Sequence, residues 1–369
     1  MIELNDFGRQ WADIGDAVLG AVRIVGESGR YILGSEVTAF ESALAGVLGA
    51  KHAVGCGSGL DALEIALRAT GAQPGDRILT TPLSAFATTL AILRVECVPV
   101  FADVDASGLL DLDLCEQFVA GGRVRFVVPV HLFGHALDLH RLARMRERFG
   151  LVVVEDIAQA IGAASRGRGV GTVGDASALS LYPTKNLGAM GDGGALFTDD
   201  AAIRDRSRAL RDYGQSAKYV HDHRGLNSRL DEIQASILRR ASLPRLEAWL
   251  ARRRQIALSL LDGIVNPRVR PVPVPDGSSS AWHLFPVLVD DRNAFRRHLE
   301  AGGVHTGIHY PRLITEQRAL AAHRAHEVCG ELRNAAIFSR SEVSLPIHPY
   351  LTPGEVERIV DLVNAWSPP

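Results

Sequence analysis

The chain has 369 residues, of which 47% are hydrophobic and 22% charged, which excludes a disordered or fibrous protein and is enough for one large core with a smaller lobe beside it. With 40 Lys and Arg against 42 Asp and Glu, the formal net charge is −2, so no global field draws in nucleic acid or an anionic membrane and neither is expected as a partner. The four cysteines (Cys56, Cys97, Cys115, Cys329) form no CxxC pair and no His stands at ligand spacing, so neither a disulfide framework nor a metal site is expected.

Met1 to Asp6 carries no basic-then-apolar leader, and no run reaches the ~20 apolar residues of a membrane span. A cytoplasmic protein is the expectation. From about residue 50 to 200, strand-like runs at Arg77 to Thr81, Cys97 to Ala102, Arg125 to Val130, Leu151 to Glu155, Ala176 to Leu181 and Gly194 to Thr198 alternate with helix-period segments. The helices are expected at Asp61 to Ala69, Ala85 to Leu93 and Leu137 to Phe149. This alternation predicts an α/β fold with a mostly parallel central sheet flanked by helices, whose active crevice lies at the carboxyl ends of the strands.

The texture changes after about residue 240. A long Arg-rich helical stretch, Leu243 to Leu261, leads into the Pro-rich run 267 to 275. The remainder of the chain reads as a small α+β lobe, with strands at Trp282 to Val289 and near His305 to Tyr310, a helix near Asn293 to Ala301, and a last helix opened by the capping box Thr352-Pro353-Gly354-Glu355. Residues 1–245 are therefore expected to form a large domain and 246–369 a small C-terminal one.

Four segments carry candidate chemistry. Gly55-Cys56-Gly57-Ser58-Gly59-Leu60 runs into a helix, a turn that brings backbone N–H groups to an anion or simply caps the helix. Glu155-Asp156 ends the unbroken apolar strand Leu151 to Val154; Asp156 is either a cap or solvated charge, or the acid that keeps a pyridine nitrogen protonated. Lys185 follows a strand and stands among Pro183, Gly188 and Gly191, where no amphipathic surface helix forms, so a desolvated amine there suits Schiff-base chemistry. Asn227-Ser228-Arg229-Leu230-Asp231 enters an apolar-faced helix, with Asn227 or Ser228 its N-cap on the plain structural reading. Asp156 and Lys185 lie one strand-loop-strand apart, and neighbouring strands are only ~4.8 Å apart, so both can reach one crevice.

These segments in this order, with Tyr31-Ile32-Leu33-Gly34, Val130-His131-Leu132-Phe133-Gly134 and His309-Tyr310-Pro311, resemble the DegT/DnrJ/EryC1/StrS family of sugar aminotransferases, which have the aspartate-aminotransferase fold. The likeness covers nearly the whole chain. It implies pyridoxal 5′-phosphate (PLP) as cofactor, held covalently by Lys185, with Asp156 at the ring nitrogen, Gln159 near the ring hydroxyl and Phe86 stacked on the ring. By the same resemblance Gly59, Leu60 and Ser180 contact the phosphate, Asn227 contacts it from the other subunit of a homodimer, and Tyr182, His309 and Tyr310 line the substrate pocket.

The implied reaction moves an amino group from glutamate to a nucleotide-linked keto-sugar. The Tyr-Ile-Leu-Gly segment is similar to relatives acting on 3-keto sugars, with a 4-keto substrate as the alternative; dTDP and UDP are not distinguished. Two departures stand out: Leu60 where many relatives have Thr, and Pro183-Thr184-Lys185 where many read Pro-Gly-Lys. The sugar-dehydrating branch has His at the lysine position, so Lys185 disfavours it. Two other classes are weighed. A nucleotide-sugar dehydrogenase would need an acid ending the strand after the Gly turn, whereas Asp76 precedes that strand. A non-catalytic protein of the same fold would be marked by loss of Lys185 or Asp156.

Overall fold

The computed structural model describes residues 1–321 and 326–368. Its main sheet has strands β1 (His52–Cys56), β2 (Arg77–Thr80), β3 (Val98–Ala102), β4 (Phe126–Val127), β5 (Val152–Asp156), β6 (Ala176–Ser180) and β7 (Gly194–Thr198), with Glu327–Cys329 added at one edge. The order is β1-β7-β6-β5-β4-β2-β3 and then Glu327–Cys329. Only β7 runs against its neighbours; the other adjacent pairs are parallel.

Alternation along the strands explains the apolar run that ends at Glu155. Val153, with Leu79, Val127 and Leu179, packs on one face against Leu139, Leu142 and Met145 of the helix Leu139–Phe149. Val154, with Ile78, Phe126 and Ala178, packs on the other against Leu63, Ile65 and Leu67 of the helix Gly59–Ala69. A strand covered on both sides has no polar face to show.

The C-terminal part builds a second core. Strands Arg270–Pro271, Phe285–Leu288 and Glu342–Leu345 form a three-stranded antiparallel sheet, and Phe285, Val287, Phe295, Leu299, Val343, Leu345, Ile359 and Val363 cluster beneath the helices Arg292–Ala301 and Pro353–Ala365. The capping box at Thr352 and Glu355 is present as read. The expected strand near His305 to Tyr310 is not formed. The segment has a single bridge, Gly307 to Ser344, and Pro311, which has no N–H, stops any longer ladder. The long Arg-rich helix starts later than expected, at Leu246–Gly263, because Pro244 sits in a tight 3-10 turn, Leu243–Arg245, ahead of it.

One buried acid ties the end of β5 to the loop beyond it. Glu155 is fully buried and accepts from the N–H groups of Gly171 (2.9 Å), Val173 (2.8 Å) and Gly174 (2.8 Å) and from His131 Nε2 (3.0 Å). Burial pushes its carboxyl up, but the bonds from His131 and the backbone win and hold it below the ordinary value. The Leu137 N–H donates to His131 Nδ1 (3.2 Å), which leaves Nε2 as the protonated nitrogen facing Glu155. Glu155→Ala strands three buried N–H groups and an imidazole, and we expect a loss of about 3–5 kcal/mol in urea unfolding; a loss under ~1 kcal/mol would contradict this role.

Candidate active site

Asp156 closes β5 on the alternate face from Glu155. Its Oδ2 accepts from Thr88 Oγ1 (2.8 Å) and its Oδ1 from the Ala158 N–H (3.1 Å). The side chain is buried, and burial raises its pKa against the pull of those two bonds and of Lys185. Thr88 lies in the first turn of Phe86–Arg94 and is itself bonded to Ser84 Oγ (3.0 Å). Phe86, the first residue of that helix, is half-buried and packs beside Phe101, Ile314 and Leu320.

Lys185 follows β6 in a turn closed by its own N–H on Tyr182 O (2.9 Å). Asn186 anchors the turn from the far side, donating to Ala281 O (2.8 Å). The lysine keeps some accessible surface, yet protein surrounds it closely enough that burial lowers its amine to about 8, with Asp156 opposing the shift. The two groups therefore feel each other's charge across the ends of the neighbouring strands β5 and β6. Lys185 Nζ has no hydrogen-bond partner among the described residues.

The Gly59 end of the next helix meets the same place. Ser58 caps Gly59–Ala69 by accepting from the Asp61 N–H (3.1 Å), and a Cβ on Gly59 would lie 2.7 Å from Ser180 Cβ. Only glycine lets the helix start approach β6 this closely. Gly59, Leu60 and Ser180 are thus brought together, and the helix's first N–H groups have no intrahelical acceptor. Ser228 accepts from the Gly57 N–H (2.9 Å) and donates to Asp61 Oδ2 (2.8 Å), bracing the turn. Neither Asn227 nor Ser228 is the N-cap of the following helix; Asp231 is, accepting from the Gln234 N–H (2.7 Å). Asn227 is exposed and has no side-chain hydrogen bond among the described residues.

Gln159 joins two groups of candidates. Its Oε1 accepts from the Phe133 N–H (2.7 Å) and its Nε2 donates to Tyr310 Oη (3.1 Å). His309 and Tyr310 lie close enough to Lys185 and Asp156 to be influenced by them: burial, then Lys185, lowers His309 to about 4, while burial, then Asp156, raises Tyr310. Tyr182 is 52% exposed. Sequence reading missed Thr88, Asn186 and His283. His283 is buried and its pKa falls well below the ordinary value through burial and then Lys185. A threonine inside a helix and a histidine at a strand entry carry no periodic or spacing signal that singles them out.

A half-buried amine without a hydrogen-bond partner among the described residues, a buried acid and a glycine-led helix N-terminus are a donor set suited to a phosphorylated pyridine aldehyde. With the mostly parallel helix-flanked sheet, they belong to the class of enzymes that have the aspartate-aminotransferase fold. The chain belongs to the DegT/DnrJ/EryC1/StrS aminotransferase family, whose model matches residues 12–364, and whose enzymes depend on PLP. It is 41% identical over 350 residues to a dTDP-3-amino-3,4,6-trideoxy-alpha-D-glucose transaminase of Streptomyces venezuelae, covering 94% of this chain and 91% of that one. It is 34% identical over 368 residues to a UDP-2-acetamido-2-deoxy-3-oxo-D-glucuronate aminotransferase of Pseudomonas aeruginosa, covering 97% and 98%. The crystal structure of S. venezuelae DesV in complex with a ketimine intermediate superposes with a TM-score of 0.94 at 38% identity, over 99% of this chain and 98% of that one. Membership of an aminotransferase family sets aside the dehydrogenase and non-catalytic alternatives. No helix among the described residues is long and apolar enough to cross a membrane, and no group of His, Cys, Asp and Glu among them could hold a metal.

The lysine has a measurable signature in the cofactor-free protein. The folded state binds its proton less tightly (about 8) than the unfolded chain (10.5), so this group's cost to stability is full below pH 8 and is relieved as pH rises from about 8 towards 10.5. Lys185→Met is expected to abolish that pH dependence and to make the cofactor-free protein roughly 3 kcal/mol more stable at pH 7. Parallel pH–stability curves for the two proteins would refute it.

Proposed function

We propose that this chain transfers an amino group from glutamate to C3 of a nucleotide-linked 3-keto sugar, with Lys185 and Asp156 as its catalytic residues. The observation that carries this reading is the electrostatic contact of a half-buried amine and a buried acid at the ends of adjoining strands. Bound PLP supplies the carbonyl that exchanges amines and the ring that accepts electrons. Lys185 Nζ holds the cofactor and then, as the free amine, carries the proton from the donor's Cα and delivers one to the sugar carbon. An amine near 8 is readily available as base at neutral pH. Asp156, kept in place by Thr88 and the Ala158 N–H, holds the ring nitrogen's proton.

The remaining assignments belong to the same reading. Gly59, Leu60 and Ser180 take the phosphate at the helix N-terminus. Phe86 covers the ring, and Gln159 stands at its hydroxyl side. Leu60 offers only its backbone N–H, having no hydroxyl. Tyr182, His309 and Tyr310 are proposed to meet the sugar. C3 is favoured because the S. venezuelae and P. aeruginosa relatives are named for 3-amino and 3-oxo sugars. A homodimer is proposed because Phe7, Trp11, Leu19, Val22 and Ile24 of the helix Phe7–Ser28, with Tyr31 and Ile32 after it, are exposed, and because Asn227 is left free to reach a partner's phosphate site. Two cores support a division into residues 1–245 and 246–369, although Glu327–Cys329 returns to the large sheet. Four free cysteines suit a reducing cytoplasm.

Holoenzyme given glutamate and a panel of 3-keto and 4-keto nucleotide sugars is expected to yield 3-amino products by mass spectrometry; amination only of 4-keto sugars would overturn the regiochemistry. Lys185→Ala should lose both turnover and the visible absorbance of the bound cofactor while remaining folded. Asp156→Ala should keep the cofactor but lose roughly 10³-fold in rate, and a near-native rate there would end the electron-sink assignment.

A further inference from the structure

The strand Glu342–Leu345 has two faces with different duties. Val343 and Leu345 enter the small-lobe core, while Glu342 and Ser344, both fully buried, turn the other way towards His309. Glu342 Oε2 accepts from the His309 N–H (2.5 Å), and Glu342 Oε1 is 2.5 Å from Ser344 Oγ. Ser344 Oγ is in turn 2.9 Å from His309 Nδ1. The Gly307 and Ser344 backbones exchange both of their hydrogen bonds (3.0 Å each) and clamp the segment. His309 is therefore held at its backbone and at one ring nitrogen. Nε2 has no partner among the described residues, on a ring near enough to Lys185 to feel its charge.

We propose that Glu342 and Ser344 are positioning residues that fix the tautomer of His309, so that its Nε2–H is offered as a hydrogen-bond donor to a carbonyl or hydroxyl oxygen of the sugar. The direction of a three-link chain is decided by one proton. With Glu342 protonated, Oε1–H donates to Ser344 Oγ and the serine donates to His309 Nδ1, which leaves the ring proton on Nε2. With Glu342 ionised, the serine donates to the carboxylate and accepts from Nδ1–H, and Nε2 becomes a bare acceptor.

The surroundings favour the first state at neutral pH. Burial lifts the Glu342 carboxyl to about 8, against its bonds from His309 and Ser344 and against Arg292 and Arg296. Both arginines come from the helix Arg292–Ala301 and are engaged elsewhere, Arg292 on Ser339 O (2.6 Å) and Arg296 on Thr306 Oγ1 (3.0 Å). Tyr310 also feels Glu342, and His309 feels the charge of Lys185. His309, lowered to about 4, stays neutral throughout, so its tautomer and not its charge is the variable.

The proposal rests on the sugar-pocket reading only for the identity of the acceptor, and the test separates the two. In holoenzyme carrying 15N-labelled histidine, His309 is expected as the Nε2–H tautomer at pH 7 and as Nδ1–H above about pH 8. E342Q, whose amide can donate to Ser344 at every pH, should keep Nε2–H throughout. In kinetics, S344A should lose about tenfold in kcat/KM for the keto-sugar with the single-turnover donor half-reaction unchanged. E342Q should exceed S344A at pH 7 and stay flat above pH 8, where the native enzyme declines. An Nδ1–H tautomer at pH 7 in the native protein, an E342Q profile that still declines, or an S344A loss shared equally by both half-reactions would overturn the proposal. If no keto-sugar is turned over, the function reading fails while the tautomer measurement still decides this one.

Discussion

The site depends on placing an acid and an amine side by side in protein without letting them cancel. A carboxylate at the end of β5 and an ammonium after β6 would form an ordinary ion pair in water. Here Asp156 is buried and bonded to Thr88 and the Ala158 N–H, while Lys185 sits in a turn with no hydrogen-bond partner among the described residues. Desolvation raises one pKa and lowers the other, and their mutual attraction opposes both shifts without reversing either. That balance is what the proposed roles, a fixed acid and an exchangeable amine, require. It requires rigid strand ends, and the fully buried Glu155, gathering three backbone N–H groups beside Asp156, provides rigidity where β5 stops.

Much of this was legible in the sequence because the signals are local and periodic. An apolar run ending in Glu155-Asp156 marks a strand covered on both faces, and the structure shows Val153 and Val154 in separate cores. The glycine turn at residue 59 was readable as either a cap or an anion site; Ser58 caps the helix, and Gly59 makes a close approach to Ser180. The failures have physical reasons too. β1 and Glu327–Cys329 are edge strands whose place is set by partners far away in sequence, β7 and β3. Ser228 read as a helix cap because serine is a good one, but it braces the Gly57 turn, and Asp231 does the capping. Thr88 and Ser344 are recognisable only by what lies across from them in space.

The two sheets put strand alternation to opposite uses. In β5, successive residues divide between two helix-covered faces, and the acids Glu155 and Asp156 come only where the strand ends. In Glu342–Leu345, one face belongs to the small-lobe core and the other carries a buried acid and a serine to the segment holding His309 and Tyr310. Gln159, two residues beyond Ile157 on the large-domain side, reaches Tyr310 Oη. The segment holding His309 and Tyr310 is therefore bonded from both sides, by Gln159 and by Glu342 with Ser344. Burial favours the neutral forms of Glu342, His309 and Tyr310, so the small-lobe side of this arrangement offers hydrogen-bonding groups rather than ions.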